Sequence, residues 1–139
     1  MTKKYEQFSH TADIGARIYG KDLKELFENA AFAMFDIIAD LEGLEATVAR
    51  AVEVEGEGYE ELLVSWLDEL LYNFYTKSII FSKFEIWEFS EKKLKAKIYG
   101  RPVGVNRNRL KTEIKAATYS GLEIKKTAEG YQVEIIFDV

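Results

Sequence analysis

The chain has 139 residues, a formal net charge of −5 at pH 7, and a composition that is 47% hydrophobic and 31% charged. At this length one domain buries about 68% of the surface of its unfolded chain, so we predict a single domain over residues 1–139. The sequence has no cysteine, no apolar run near ~20 residues and no signal-peptide pattern, which excludes a disulfide framework and a membrane-spanning helix and favours a cytoplasmic location.

Charge is distributed unevenly along the chain. Residues 22–69 contain fourteen acidic and two basic side chains, whereas residues 92–115 contain nine basic side chains and one acidic side chain. A basic segment lets an acidic chain approach phosphate or an acidic partner on one face. Lysines that protect a sheet edge give the same pattern, and we favour that interpretation for residues 92–97.

The chain begins with a predicted hairpin. Two short alternating runs, at residues 5–9 and 14–20, flank a bend at residues 10–13 that contains the only histidine, His10. Asp13 in this bend has three interpretations: a metal ligand, a general base, or a turn residue that bonds its own backbone.

The first predicted helix covers residues 22–40. Asp22 has the position of an N-cap, and Glu25 three residues later completes a capping box. Apolar residues recur at helical spacing until the helix ends before Gly43.

A strand at residues 47–55 precedes the second predicted helix, which has an unbroken apolar stripe over residues 62–75. Within it, Asp68 and Glu69 are expected to be solvent-exposed, with a partner contact as the secondary interpretation for Asp68.

The remainder of the chain has mostly period-two patterns. From residue 83 a hairpin is predicted with its turn at residues 90–92. Residues 101–109 are predicted to be a loop, and residues 112–118 alternate only weakly. The last strand should place its apolar side chains on one face and Asp138 on the other. The apolar residues are Tyr131, Val133, Ile135 and Phe137. Together the elements predict an α+β fold with two amphipathic helices packed on one face of a largely antiparallel sheet.

Few kinds of chemistry remain open to this composition. Without cysteine and with one histidine, neither a nucleophilic triad nor a zinc site of the usual kind can be assembled. Carboxylate oxygens suit Ca²⁺ or Mg²⁺. Asp138 and the α-carboxylate of Val139 lie one residue apart, and pairing of the last strand near the bend would add Asp13. Three such carboxylates would repel one another without a cation.

Four segments of the chain resemble the archease family, and together they extend over essentially its whole length. They are His10-Thr11-Ala12-Asp13-Ile14-Gly15 with the helix that follows, Leu62-Leu63-Val64-Ser65-Trp66-Leu67-Asp68-Glu69-Leu70-Leu71-Tyr72, Glu113-Ile114-Lys115-Ala116-Ala117-Thr118-Tyr119, and the final Asp138.

The resemblance implies an archease-like fold with a metal site formed by Asp13, Asp138 and Val139. The expected cofactor is a divalent cation, with Ca²⁺ preferred and Mg²⁺ or Mn²⁺ as alternatives, since all three accept carboxylate oxygens. His10 is expected beside the metal, orienting a neighbour by hydrogen bonding. The family resemblance also singles out Lys115. This residue would bind a phosphate or an acidic partner, or it is simply an outward-facing strand lysine.

The resemblance also implies that the protein is not an enzyme but an accessory cofactor of an RtcB-type RNA ligase in tRNA splicing. Such a cofactor promotes guanylylation of the ligase and multiple turnover. As a physical hypothesis, the basic loop around Arg107 and Arg109 would touch ligase or tRNA phosphates. The alternative is a chaperone-like modulator of a tRNA (cytosine-5) methyltransferase. A free-standing metal-dependent hydrolase is a third hypothesis, for which only His10 offers a histidine base.

Three positions depart from the family pattern. Gly104 stands where an aspartate is expected, Asn108 follows Arg107 in place of a histidine, and Ser120 replaces a histidine after the Thr-Tyr pair. No role is carried over to these side chains.

Overall fold

The computed structural model of the protein describes residues 3–10, 12–118 and 121–139, with the backbone alone at His10. Its elements in chain order are β1 (Tyr5–His10), β2 (Asp13–Gly20), α1 (Leu23–Ile38), β3 (Val48–Glu55), α2 (Tyr59–Lys77), β4 (Ile79–Phe89), β5 (Lys93–Pro102), a 3₁₀ helix (Gly104–Arg109), β6 (Ala116–Ala117), β7 (Lys125–Thr127) and β8 (Gly130–Asp138).

The described strands form two antiparallel sheets. In the first sheet the order is β1-β2-β8-β6, and β7 also pairs with β8. The second sheet has the order β3-β5-β4. The α+β class and the antiparallel pairing are therefore confirmed, although the strands divide into two sheets where the sequence suggested one.

The helices lie between the two sheets. Helix α1 contacts β2 of the first sheet and β4 of the second, while α2 contacts all three strands of the second sheet and β6 of the first. This position explains why α1 has ten buried residues among its sixteen, since a helix covered on two sides cannot keep a wide polar face. The indole N–H of Trp66 in α2 donates to the carbonyl of Phe27 in α1 over 2.9 Å, which joins the helices inside the core.

The start of α1 follows from its capping residues, as predicted. The Asp22 side chain accepts a hydrogen bond from the Glu25 N–H at 2.8 Å. The Glu25 carboxylate accepts the N–H of Lys21 at 2.9 Å, one residue before the usual partner. One orphan donor of the first helical turn and one N–H of the preceding turn are satisfied in this way, which fixes the turn between β2 and α1.

Most of the other predicted elements are present with shifted bounds. The two hairpins are confirmed, with turns between β1 and β2 and between β4 and β5. The loop predicted at residues 101–109 contains the end of β5 and the 3₁₀ helix, and the weak alternation at residues 112–118 gives only the two residues of β6. No helix in the described part of the chain is long and apolar enough to cross a membrane.

Candidate functional site

The hairpin at the start of the chain places Asp13 at the first position of β2, where it pairs with His10 of β1. The turn between them includes Ala12, whose φ of 60° lies in the left-handed region that L-residues adopt at a cost. The position of the predicted bend is confirmed. The His10 side chain and Thr11 lie outside the described residues, so the role predicted for His10 stays a prediction.

The last strand lies beside this hairpin. Strand β2 pairs with β8 antiparallel, with Ile14 opposite Phe137. One further step of this register brings Asp13 opposite Asp138, and the same Asp138 pairs with Ala116 of β6 on its other side. A single row across the sheet therefore contains His10, Asp13, Asp138 and Ala116.

The two aspartates lie on the outer face of the first sheet. Ala16 and Ile135, which pair with each other, are fully buried and face the helices. Because side chains alternate along a strand, Asp13 and Asp138 project to the opposite face. Both residues are half-buried. Two carboxylates in adjacent, opposed positions on one face form what we call the carboxylate pair.

The rest of this outer face is held by polar and aromatic contacts. Arg17 binds Glu134 across β2 and β8, with 2.8 Å between Nε and Oε2. The Phe8 ring lies over Gly15, which is buried beneath it, and the Arg17 guanidinium is 5.8 Å from the ring centre. On this face the Arg17 guanidinium is therefore paired with the Glu134 carboxylate.

Lys115 lies beside the carboxylate pair through its backbone. Its N–H donates to the carbonyl of Asp138 at 2.8 Å, and its side chain is exposed. The structure thus brings together three of the predicted site residues, Asp13, Asp138 and Lys115, around one end of the sheet. Val139 follows Asp138 directly and is 41% exposed.

Arg107 is exposed within the 3₁₀ helix and is not part of this row. Its segment is attached to the ends of the two helices: Val103 donates to the Ser78 carbonyl after α2, and the Arg109 guanidinium donates to the carbonyls of Asp40 and Glu42 after α1.

The donor chemistry of the carboxylate pair fits a hard divalent cation, because carboxylate oxygens are the ligands that Ca²⁺ and Mg²⁺ prefer. Among the described residues no group of three or more His, Cys, Asp or Glu side chains is placed to hold a metal ion. The third protein oxygen of the predicted metal site would therefore be the α-carboxylate of Val139. The metal itself and the predicted ligand set stay predictions.

Sequence reasoning missed side chains of α2 that bind the chain around Lys115. The Tyr75 hydroxyl donates to the carbonyl of Ile114 at 2.7 Å. Burial raises the pKa of the Asp68 carboxyl, which a hydrogen bond from the Ala117 backbone opposes, although the residue as a whole is exposed. The signal in the sequence is the seven-residue spacing, which puts both side chains on one helix face.

An open groove of about 590 Å³ lies at the other end of the same strands, where Gly20 pairs with Tyr131. Its lining includes Lys3, Lys21 and Glu129. It is separated from the carboxylate pair by the length of β2 and has no contact with the predicted site.

The fold and site define a class: an α+β protein with two helices between two antiparallel sheets and a carboxylate pair at one sheet end. Residues 5–139 match the model of the Archease protein family (MTH1598/TM1083). Similar proteins include the protein archease of Methanosarcina acetivorans, 43% identical over 99% of this chain and 97% of the relative, and that of Pyrococcus abyssi, 41% identical over 99% of both. The solution structure of Methanobacterium thermoautotrophicum protein 1598 has a TM-score of 0.85 at 36% identity, covering 99% of this chain and 100% of that one. The chain belongs to the archease family.

Proposed function

We propose that this protein is an accessory cofactor of an RtcB-type RNA ligase, and that the carboxylate pair is the part of it that acts on the ligase. Family membership supports the ligase assignment. The observation that supports the site is the register that sets Asp13 opposite Asp138 on an outward face, with Lys115 bonded to the Asp138 backbone.

The proposed role needs a surface that enters another protein's active site, and the position of the carboxylate pair suits it. Asp13 and Asp138 lie at the end of their strands and are half-buried on the outer face. A divalent cation held by Asp13, Asp138 and the Val139 α-carboxylate would supply positive charge for a nucleotide phosphate. The carboxylates would hold that cation, and the Lys115 ammonium would attract phosphate oxygens or an acidic group of the ligase.

The experiment is ligase guanylylation with GTP, measured with and without this protein. We expect faster formation of the guanylylated ligase and more than one ligation per ligase molecule when the protein is present. The protein alone, incubated with RNA that has a 2′,3′-cyclic phosphate end, should leave that end unchanged. Absence of stimulation by the folded protein with its matching ligase would overturn the proposal.

A second arm of this experiment uses a tRNA (cytosine-5) methyltransferase. If the protein protects that enzyme from aggregation and leaves the ligase unaffected, the ligase assignment is wrong. In that case substitutions in the carboxylate pair should not matter, because a chaperone-like role depends on a contact surface rather than on paired carboxylates.

A direct test of the metal is calorimetric titration of the protein with Ca²⁺, Mg²⁺ and Mn²⁺. Binding by the wild type that is lost in Asp13→Asn would support the cation site, since the amide removes one charged oxygen ligand. Equal binding by both proteins would place the cation elsewhere.

A further inference from the structure

Helix α2 carries two polar side chains that each bind a backbone group of the chain after the 3₁₀ helix. They are Glu60 and Tyr75, fifteen residues apart, which is about four helical turns. Glu60 accepts the Ile124 N–H at 3.1 Å, and Tyr75 donates to the Ile114 carbonyl at 2.7 Å. We call these two side chains the α2 clamp.

The segment that the α2 clamp holds has little regular structure of its own. Strand β6 consists of Ala116 and Ala117 alone, and residues 111–115 form no helix or strand. A two-residue strand supplies too few ladder bonds to fix its own conformation. The course of the backbone therefore depends on contacts from outside the strand, and α2 supplies them on both sides of Lys115.

The position of Lys115 follows from these contacts. Its neighbour Ile114 is fully buried and has its carbonyl bound by Tyr75. The next residue along the chain is Lys115, whose N–H donates to the Asp138 carbonyl. We propose that Tyr75 is a positioning residue that keeps Lys115 beside Asp138, a role that rests on the proposed function of the carboxylate pair.

The test compares Tyr75→Phe, which removes one hydroxyl, with two tyrosine controls. Tyr72→Phe alters an exposed tyrosine of the same helix whose hydroxyl makes no hydrogen bond among the described residues. Tyr5→Phe removes a comparable hydrogen bond, to Asp36, on the far edge strand β1. We expect Tyr75→Phe to lower ligase stimulation about fivefold, the factor equivalent to a hydrogen bond of ~1 kcal/mol, and both controls to keep it.

Amide hydrogen exchange supplies a measurement that does not need the ligase. The Lys115 amide should exchange about fivefold faster in Tyr75→Phe than in the wild type, and no faster in Tyr72→Phe. Stimulation by Tyr75→Phe equal to that of Tyr5→Phe, or an unchanged Lys115 exchange rate, would overturn the positioning role. If even the wild type fails to stimulate the ligase, the proposed function has failed, and the exchange rates still decide whether the α2 clamp orders the segment.

Discussion

The packing beside the carboxylate pair requires a residue without a side chain at position 15, which is Gly15. A Cβ atom at this position would lie 2.3 Å from Cε1 of Phe8, a distance that real Cβ contacts do not reach. The Phe8 ring covers Gly15 on the outer face and pairs with it across the hairpin. Gly15 thus leaves room for the Phe8 ring to pack on β2, two residues from Asp13.

We therefore expect Gly15→Ala to displace the Phe8 ring and to lower the free energy of unfolding by about 1–3 kcal/mol, the usual cost of overpacking. Urea denaturation monitored by circular dichroism measures this change. In a Phe8→Ala background the same substitution should cost less than half as much, because the clashing atoms are gone. An equal cost in both backgrounds would show that the ring is not the cause.

At the scale of elements, one hydrogen bond ties the edge strand β1 to helix α1. The Tyr5 hydroxyl donates to Oδ2 of Asp36 at 2.6 Å. Burial, followed by this hydrogen bond and the charge of Asp36, raises the pKa of the Tyr5 hydroxyl. The pKa in the folded state exceeds the value near 10 of an unfolded tyrosine, so the stabilisation is fully present below pH 10 and is lost as the pH rises through the folded-state pKa.

Tyr5→Phe should accordingly lower the free energy of unfolding by about 1–2 kcal/mol at pH 7, since it removes a hydrogen bond to a charged group. The difference between wild type and variant should shrink as the pH is raised above 10. Denaturation at several pH values measures this stability difference. The control is Tyr131→Phe, because the Tyr131 hydroxyl makes no hydrogen bond among the described residues. A difference that stays constant up to pH 11 would contradict the assigned pKa direction.

The elements that the sequence predicts best are those specified by neighbouring residues. The N-cap at Asp22 and the turns of the two hairpins depend on contacts within a few residues, and these predictions are confirmed. The predicted capping box is present in modified form, because the Glu25 carboxylate accepts the N–H of Lys21 instead of that of Asp22. The division into two sheets was not predictable in this way, because pairing of β2 with β8 joins segments more than a hundred residues apart. Likewise β6 owes its place to β8 and α2 rather than to its own weak alternation.

The candidate site shows the same limit. From sequence, the meeting of Asp13 and Asp138 was conditional on the last strand lying beside the bend, and the structure supplies that pairing. The bond made by Tyr75 was not predictable, because the seven-residue spacing places Asp68 and Tyr75 on one helix face but does not reveal that the Tyr75 hydroxyl binds a carbonyl 39 residues away.

At the scale of the whole molecule, one core connects both sheets and both helices. Trp66 is fully buried in it, and the cluster includes Ile18 and Phe137 of the first sheet and Phe81 and Ile98 of the second. Because neither sheet has a separate core among the described residues, the two should not unfold independently.

This predicts a single cooperative transition, which the two tryptophans allow us to check. Trp87 is 64% exposed, so Trp87→Phe should be nearly neutral and leaves Trp66 as the only tryptophan, in the centre of the core. In urea, the Trp66 fluorescence and the far-ultraviolet circular dichroism of this variant should change at the same midpoint. Separate midpoints would mean that one sheet unfolds before the other.

The measurement that tests the central claim most directly is ligase guanylylation with wild type, Asp13→Asn, Asp138→Asn and Glu134→Gln. The last variant removes a carboxylate from the same outer face without touching the carboxylate pair. We predict that all four proteins fold. The stimulation of guanylylation should fall at least about tenfold in both aspartate variants, equivalent to 1.4 kcal/mol, and Glu134→Gln should retain the wild-type stimulation. Full stimulation by folded Asp13→Asn would contradict the assignment of the carboxylate pair as the part that acts on the ligase.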